Sequence, residues 1–354
     1  MITIKNWGDI IHSSDEILHE EEWIFYRTLQ SGKMQCLACP RHCQLSDDEV
    51  GWCGARICKD SKVVPRTYGL ISSLAIDPIE KKPLYHFLPG TGILSIGSHG
   101  CNMGCLHCQN YSISANRSIS SLRKMMPDEL VKAAIANNVP SIASTYNEPM
   151  IAYEYVRDIA RIAHDHNLKM VVVDNGYITR RLAEKLGTLI DAANIDVKGF
   201  STEFYKEICS SPSWKPVLKT CETFYNLGVH IEITNLIIPT KNDDLQMIRE
   251  MCEWILNKLS ADIPLHFSRF HPDYKLRNLP MTPLETLETA YNLAKDMGLR
   301  YVYLGNVRSH KGNNTYCYQC GNLIIQRSGY YTSVQDIENE KCSKCQTPIP
   351  GVFS

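Results

Sequence analysis

Within eight residues, Cys101-Asn-Met-Gly-Cys105-Leu-His-Cys108 offers three thiolates, directly after the apolar run Ile93-Leu-Ser-Ile-Gly97. Three sulfurs at C-x3-C-x2-C spacing suit three corners of a cubane iron-sulfur cluster, which normally takes four cysteines, so one iron keeps an exchangeable position. The chain around this loop alternates regularly. Short β-rich runs (93–97, 141–146, 169–174, 192–197, 230–238, 264–270 and 301–304) are separated by helical stretches at 127–137, 150–166, 179–186, 243–259 and 283–297. Such repetition requires parallel strands with right-handed crossovers, hence an α/β fold arranged as a (β/α) barrel, closed or partial. Reactive groups in these barrels collect at the C-terminal strand ends. The cysteine loop follows the first run, Asn147 and Glu148 the second, Asn175 and Gly176 the third, and Asp196 and Lys198 end the fourth. Four consecutive strand ends would thus bring polar groups to one mouth. On the fifth run His230, Glu232 and Thr234 alternate with isoleucines and share one face, expected to point into the lumen.

Two more cysteine groups flank the alternating region. Cys36-Leu-Ala-Cys39-Pro-Arg-His-Cys43 with Cys53 gives C-x2-C-x3-C-x9-C, punctuated by turn-forming Pro and Gly. Four soft ligands in so short a stretch suit either a closed zinc site or a second iron-sulfur cluster, with Cys58 as a substitute fourth ligand. Cys317-Tyr-Gln-Cys320 and Cys342-Ser-Lys-Cys345 are two CxxC knuckles around a short hairpin sequence. This is how a zinc ribbon is built, the metal supplying free energy that so small a core lacks; rubredoxin-like iron or an auxiliary cluster competes for the same ligands. Cys209, Cys221 and Cys252 stand at no ligand spacing and read as small buried hydrophobes. Trp23, Tyr26 and Leu29 recur at three-residue intervals, so residues 1 to about 33 are expected to form a helical lead-in.

The cysteine loop, the stretch from Cys36 to Cys53, Thr145-Tyr-Asn-Glu-Pro149, Asn194-Ile-Asp-Val-Lys-Gly199 and the segment from Thr315-Tyr-Cys317 onward resemble the AmmeMemoRadiSam-type radical SAM proteins, relatives of the pyruvate formate-lyase activating enzymes. The resemblance covers about residues 34–354. It implies a partial TIM-type radical SAM barrel (91–308) between an N-terminal Cys-rich segment (1–90) and a C-terminal zinc-ribbon-like module (309–354). It also implies a 4Fe-4S cluster on Cys101, Cys105 and Cys108, with S-adenosylmethionine (SAM) on the open iron, cleaved to a 5'-deoxyadenosyl radical that abstracts hydrogen. Glu148 would meet the SAM ammonium, and Asp196 and Lys198 its ribose and carboxylate. His107, at a position usually aromatic in the superfamily, would stack on adenine; Asn147, Asn175 and Thr234 would complete the contacts. A flavodoxin or ferredoxin would donate the electron, and the activating-enzyme likeness suggests a protein substrate.

Lys plus Arg (37) nearly balance Asp plus Glu (38), which disfavours a nucleic-acid partner. No stretch reaches membrane-spanning length without charges, and the N-terminus lacks a signal-peptide pattern, so a cytoplasmic protein is expected. An odd count of 15 cysteines argues for metal-bound thiolates over disulfides. The rival reading is a metal-binding electron carrier or adaptor, which would have no reason to place Glu148, Asp196 and Lys198 at neighbouring strand ends.

Overall fold

The computed structural model describes residues 23–307 and 311–354. At its centre lies an eight-stranded sheet of β1 (Ser73–Pro78), β2 (Gly92–Gly97), β3 (Ser141–Thr145), β4 (Lys169–Asp174), β5 (Ala192–Asp196), β6 (His230–Ile237), β7 (Leu265–Arg269) and β8 (Val302–Gly305). Strand order follows chain order. β2 to β8 are parallel and β1 is antiparallel to β2. Among the described residues β1 and β8 are not paired with each other, so the sheet stays open.

The parallel strands are buried on both faces: β4 with apolar Met170, Val171 and Val172, and β6 with Ile231 and Ile233 on one face and the polar Glu232 and Thr234 on the other. Crossover helices such as Tyr153–Asp165 and Leu245–Lys258 cover the sheet with Ile159, Ala160, Ile248 and Ile255. All seven runs read from the sequence appear as strands. β1 was not among them, for a physical reason. It is a half-exposed edge strand, with Ile76 48% exposed and a proline at its end, and lacks the apolar continuity of its neighbours.

The expected helical lead-in is corrected over the described part. Tyr26–Thr28 is a strand antiparallel to Met34–Cys36, and Met34–Cys36 pairs in turn with Gln44–Leu45. Trp23 and Phe25 are both buried, a two-residue period that the three-residue spacing of Trp23, Tyr26 and Leu29 concealed. Their packing role holds, since both rings lie against Tyr153. Residues 1–22 of that expectation lie outside the described residues. At the other end, Thr315–Tyr316, Leu323–Ser328 and Tyr331–Val334 make a small antiparallel sheet, and Ile337–Glu338 pairs with Lys341–Cys342. This module is stitched to the segment before β2 by Arg327 donating to the Tyr85 carbonyl and by backbone bonds linking Val352 to His86 and Leu88.

Candidate active site and metal centres

The cysteine loop leaves the C-terminal end of β2 and is held from every side. Asn147 accepts from the Ser98 backbone N–H (2.9 Å) and donates to the Gly100 carbonyl (2.9 Å). Its amide is committed to the loop, so Asn147 positions the cysteines and has little left for a ligand. The Cys101 N–H donates to the Cys53 carbonyl (3.1 Å), and Asn102 donates to the Tyr177 carbonyl (2.6 Å). Helix Thr202–Cys209, capped by Ser201, ends beneath the loop, and its Ile208 and Cys209 carbonyls accept from Leu106 and Gly104. Gly100 is forced by this packing. Its φ is +87°, and an added Cβ would stand 2.2 Å from the Cys53 carbonyl oxygen.

Around the loop the next strand ends supply charge. Glu148 is buried, one carboxylate oxygen accepting from Met150 N–H and the other from Asn175 N–H, both at 2.9 Å. Burial pushes its carboxyl up to about 7. Asn175 also donates to Asn102 (2.9 Å) and points its amide at the Cys101 sulfur (3.6 Å). Asp174, ending β4, was not singled out from the sequence. It is 3% exposed, one oxygen has no hydrogen-bond partner, and burial together with the nearby Glu148 holds its carboxyl well above the usual carboxylate range. A strand-final acid after Val171-Val-Val173 was the available signal.

Asp196 and Lys198 form an ion pair with each other at 2.6 Å. Burial opposes the Lys198 charge, but Asp196, with Cys105 and Cys209 nearby, more than offsets it and holds the ammonium well above its ordinary range. His107 is buried beside Lys198, and burial first, then that charge, drives its imidazole down to about 3. Its Nδ1 has no partner. Thr234 lies level with Asp196 on the adjacent strand and donates to Asn194 (2.9 Å). Glu232, expected on the lumen face, is fully buried. It accepts from Tyr85 and His86 N–H and lies 2.6 Å from His266, a structural polar layer. Cys209 has a place that spacing did not reveal: its thiol lies against that of Cys105.

The donor set suits the cofactor implied by the loop. Two buried carboxyls (Glu148, Asp174) and the partly exposed Asp196 stand around one ammonium (Lys198), a surplus of acid that a sulfonium and an amino group would balance. The unpartnered Asp174 oxygen and His107 nitrogen are open to a polar ligand.

The C-terminal knuckles converge more tightly. The Cys317, Cys320, Cys342 and Cys345 sulfurs all lie within 4.8 Å of one another, with Cys317 to Cys345 at 3.6 Å and Cys320 to Cys342 at 3.8 Å. Tetrahedral coordination with metal–sulfur bonds of about 2.3 Å puts ligand sulfurs about 3.8 Å apart, so this is the spacing of one four-coordinate ion. In the N-terminal group, Cys36, Cys39, Cys43 and Cys53 line one small cavity, whereas Cys58 sits in strand Arg56–Lys59 near Asp47 and does not line it.

Comparison with known proteins follows the same lines. The model of the Radical SAM superfamily matches residues 95–255. An uncharacterized protein from Methanocaldococcus jannaschii is 44% identical over 335 residues, covering 94% of this chain and 99% of that one. A pyruvate formate-lyase-activating enzyme from Clostridium pasteurianum is 22% identical over 195 residues, covering 51% of this chain and 80% of its own. Among solved structures, a radical SAM methyltransferase from Sphaerobacter thermophilus aligns with a TM-score of 0.49 and 14% identity, over 67% of this chain and 71% of that one.

Proposed function

The chain belongs to the radical SAM superfamily, and from that premise we propose that it is an AmmeMemoRadiSam-type enzyme, built as a partial barrel, that takes a hydrogen atom from a partner protein. Membership implies a 4Fe-4S cluster and SAM. Cys101, Cys105 and Cys108 would hold the cluster, and Glu148, Asp174, Asn175, Lys198 and His107 would surround SAM. When bound, the pair supplies a carbon radical strong enough to abstract an unactivated hydrogen. The residues of this chain orient and exclude. Asn147 and the helix end at Cys209 fix the loop, Glu148 and Asp174 would ionise against the cationic groups as these bind, and enclosure by the strand ends keeps stray hydrogen donors away. No side chain need act as acid or base. The supporting observation is the juxtaposition of the three-cysteine loop with Glu148, Asp174 and Lys198 at the ends of adjacent parallel strands.

The activating-enzyme likeness supports a protein substrate. A low-potential flavodoxin or ferredoxin would serve as donor, and zinc would occupy the C-terminal four-thiolate site. No helix among the described residues is long and apolar enough to cross a membrane; a cytoplasmic location fits the reducing conditions that iron-sulfur clusters need. The test is anaerobic reconstitution, reduction with dithionite, addition of SAM and assay for 5'-deoxyadenosine. A cluster-loaded, reduced protein that forms none overturns the proposal. Adding candidate partner proteins and looking by electron paramagnetic resonance (EPR) for a new organic radical then tests the substrate class.

A further inference from the structure

We propose that Cys36, Cys39, Cys43 and Cys53 hold a second iron-sulfur cluster, placed to hand electrons to the loop of Cys101, Cys105 and Cys108. The four side chains line a single cavity with Arg41 and Arg56. Unlike the C-terminal quartet, they are not drawn together to single-ion spacing: among the described residues the C-terminal four are the group whose ligand atoms all lie within 4.8 Å. Cys101, Cys105 and Cys108 likewise form no such group. That is the difference between ligands of one ion and ligands of a cluster, whose four cysteines are divided among two or more irons and cannot all stand at single-ion spacing.

A second observation points to an anionic occupant. Arg56 is 1% exposed and lines the cavity; its two terminal nitrogens are used up on Glu154, Tyr153 and backbone carbonyls, but its Nε is buried with no hydrogen-bond partner. A cluster ligated by four thiolates carries net negative charge, and its sulfurs accept hydrogen bonds, so it satisfies that donor.

The two cysteine groups are joined directly. Cys53 accepts the Cys101 N–H at 3.1 Å, so one hydrogen bond connects a ligand of each site through backbone alone. Arg41 adds a second link, lining the cavity while donating to the Asn102 carbonyl at 2.6 Å. The step balances simply. A low-potential one-electron donor reduces the N-terminal cluster, that electron passes to the cluster on Cys101, Cys105 and Cys108, and the first cluster returns to its oxidised form. The transfer rests on the radical SAM reading; the second cluster does not.

The experiment uses the full chain, reconstituted anaerobically with iron and sulfide. In the Cys101→Ala/Cys105→Ala/Cys108→Ala variant, between about a third and a half of the wild-type acid-labile sulfide is expected to remain, for a two-iron or four-iron cluster respectively. Its EPR spectrum after reduction should be indifferent to SAM. A Cys39→Ala/Cys53→Ala variant should lose the complementary share and keep a SAM-responsive signal, and fully reduced wild type should show spin-spin broadening absent from both variants. No sulfide in the triple variant, with zinc in the quartet instead, overturns the second cluster. Two clusters without broadening overturn the transfer. Sulfide retained by the triple variant while wild type cleaves no SAM upholds the cluster and refutes the radical SAM reading alone. Should the Cys39→Ala/Cys53→Ala protein fail to fold, the triple variant still decides.

Discussion

Replacing Gly100 by alanine tests the packing of the cysteine loop against the N-terminal segment, and Gly228→Ala is its natural control. Both glycines have a positive φ, +87° and +80°. At Gly228, just beyond helix Lys215–Asn226, an added Cβ meets nothing within 4 Å. Only the left-handed backbone penalty applies there, about 1–2 kcal/mol. At Gly100 the Cβ would stand 2.2 Å from the Cys53 carbonyl oxygen, against a floor of 3.0 Å for real contacts, so backbone must move by at least 0.8 Å (3.0 − 2.2). Overpacking adds about 1–3 kcal/mol, and losing the Cys101–Cys53 hydrogen bond about 0.5–1.5 kcal/mol. Gly100→Ala should therefore cost roughly 1.5–4.5 kcal/mol more than Gly228→Ala. Denaturant midpoints of the two variants, loaded identically because bound cofactors compromise two-state treatment, measure that difference. SAM cleavage should fall in Gly100→Ala and persist in Gly228→Ala. Equal midpoint shifts would refute the close approach of Gly100 to Cys53 and with it the linkage of the two cysteine groups.

Glu154→Leu should destabilise the protein by about 3–5 kcal/mol by leaving Arg56 buried without its partner at 2.7 Å, and Arg56→Met/Glu154→Leu should recover most of that loss in thermal melts. Burial lowers His86 to about 4, with its ring between the Pro350 carbonyl and the Tyr303 hydroxyl. An unfolded histidine protonates near pH 6.5 and the folded one resists, so this contribution is intact above about 6.5 and is lost as pH falls toward 4, a change on the order of 3 kcal/mol. His86→Asn should flatten that part of the stability–pH profile relative to wild type, and parallel profiles would show the assignment to be mistaken. Lys198→Met, removing a charge-assisted contact of about 1.5–3 kcal/mol, should weaken SAM binding roughly 10- to 100-fold in titration calorimetry while the EPR signal without SAM stays unchanged. Cys345→Ser should release the C-terminal metal, read by elemental analysis, and leave the iron content of the cysteine loop intact; retained metal would mean that Cys345 is not a ligand.

Much of this architecture was legible from local pattern, because parallel strands are buried on both faces and their apolar runs announce themselves, as Met170 to Val172 do. The C-x3-C-x2-C loop and the CxxC knuckles were legible because metal geometry dictates spacing. What escaped depends on tertiary contacts. Cys209 touches Cys105 only because helix Thr202–Cys209 ends beneath the loop. Asn147's amide bonds Ser98 and Gly100 at the loop, contacts that only the folded chain reveals. β1 was hidden by its own exposure, and the strand at Tyr26–Thr28 by aromatic spacing that fits two periods at once.

The wall of the N-terminal cavity has a bearing on biosynthesis. Its thiols all occur by residue 53, but Ile151 closes its side, and Glu154, the counter-charge to Arg56, arrives 98 positions after that arginine. A nascent chain therefore exposes four sulfurs well before translation supplies the groups that shelter them, and loading of the proposed cluster would have to wait until β3 and the helix behind it have emerged and docked. Expression under oxygen would penalise this interval first, so material made aerobically should arrive with its earliest cysteines already oxidised.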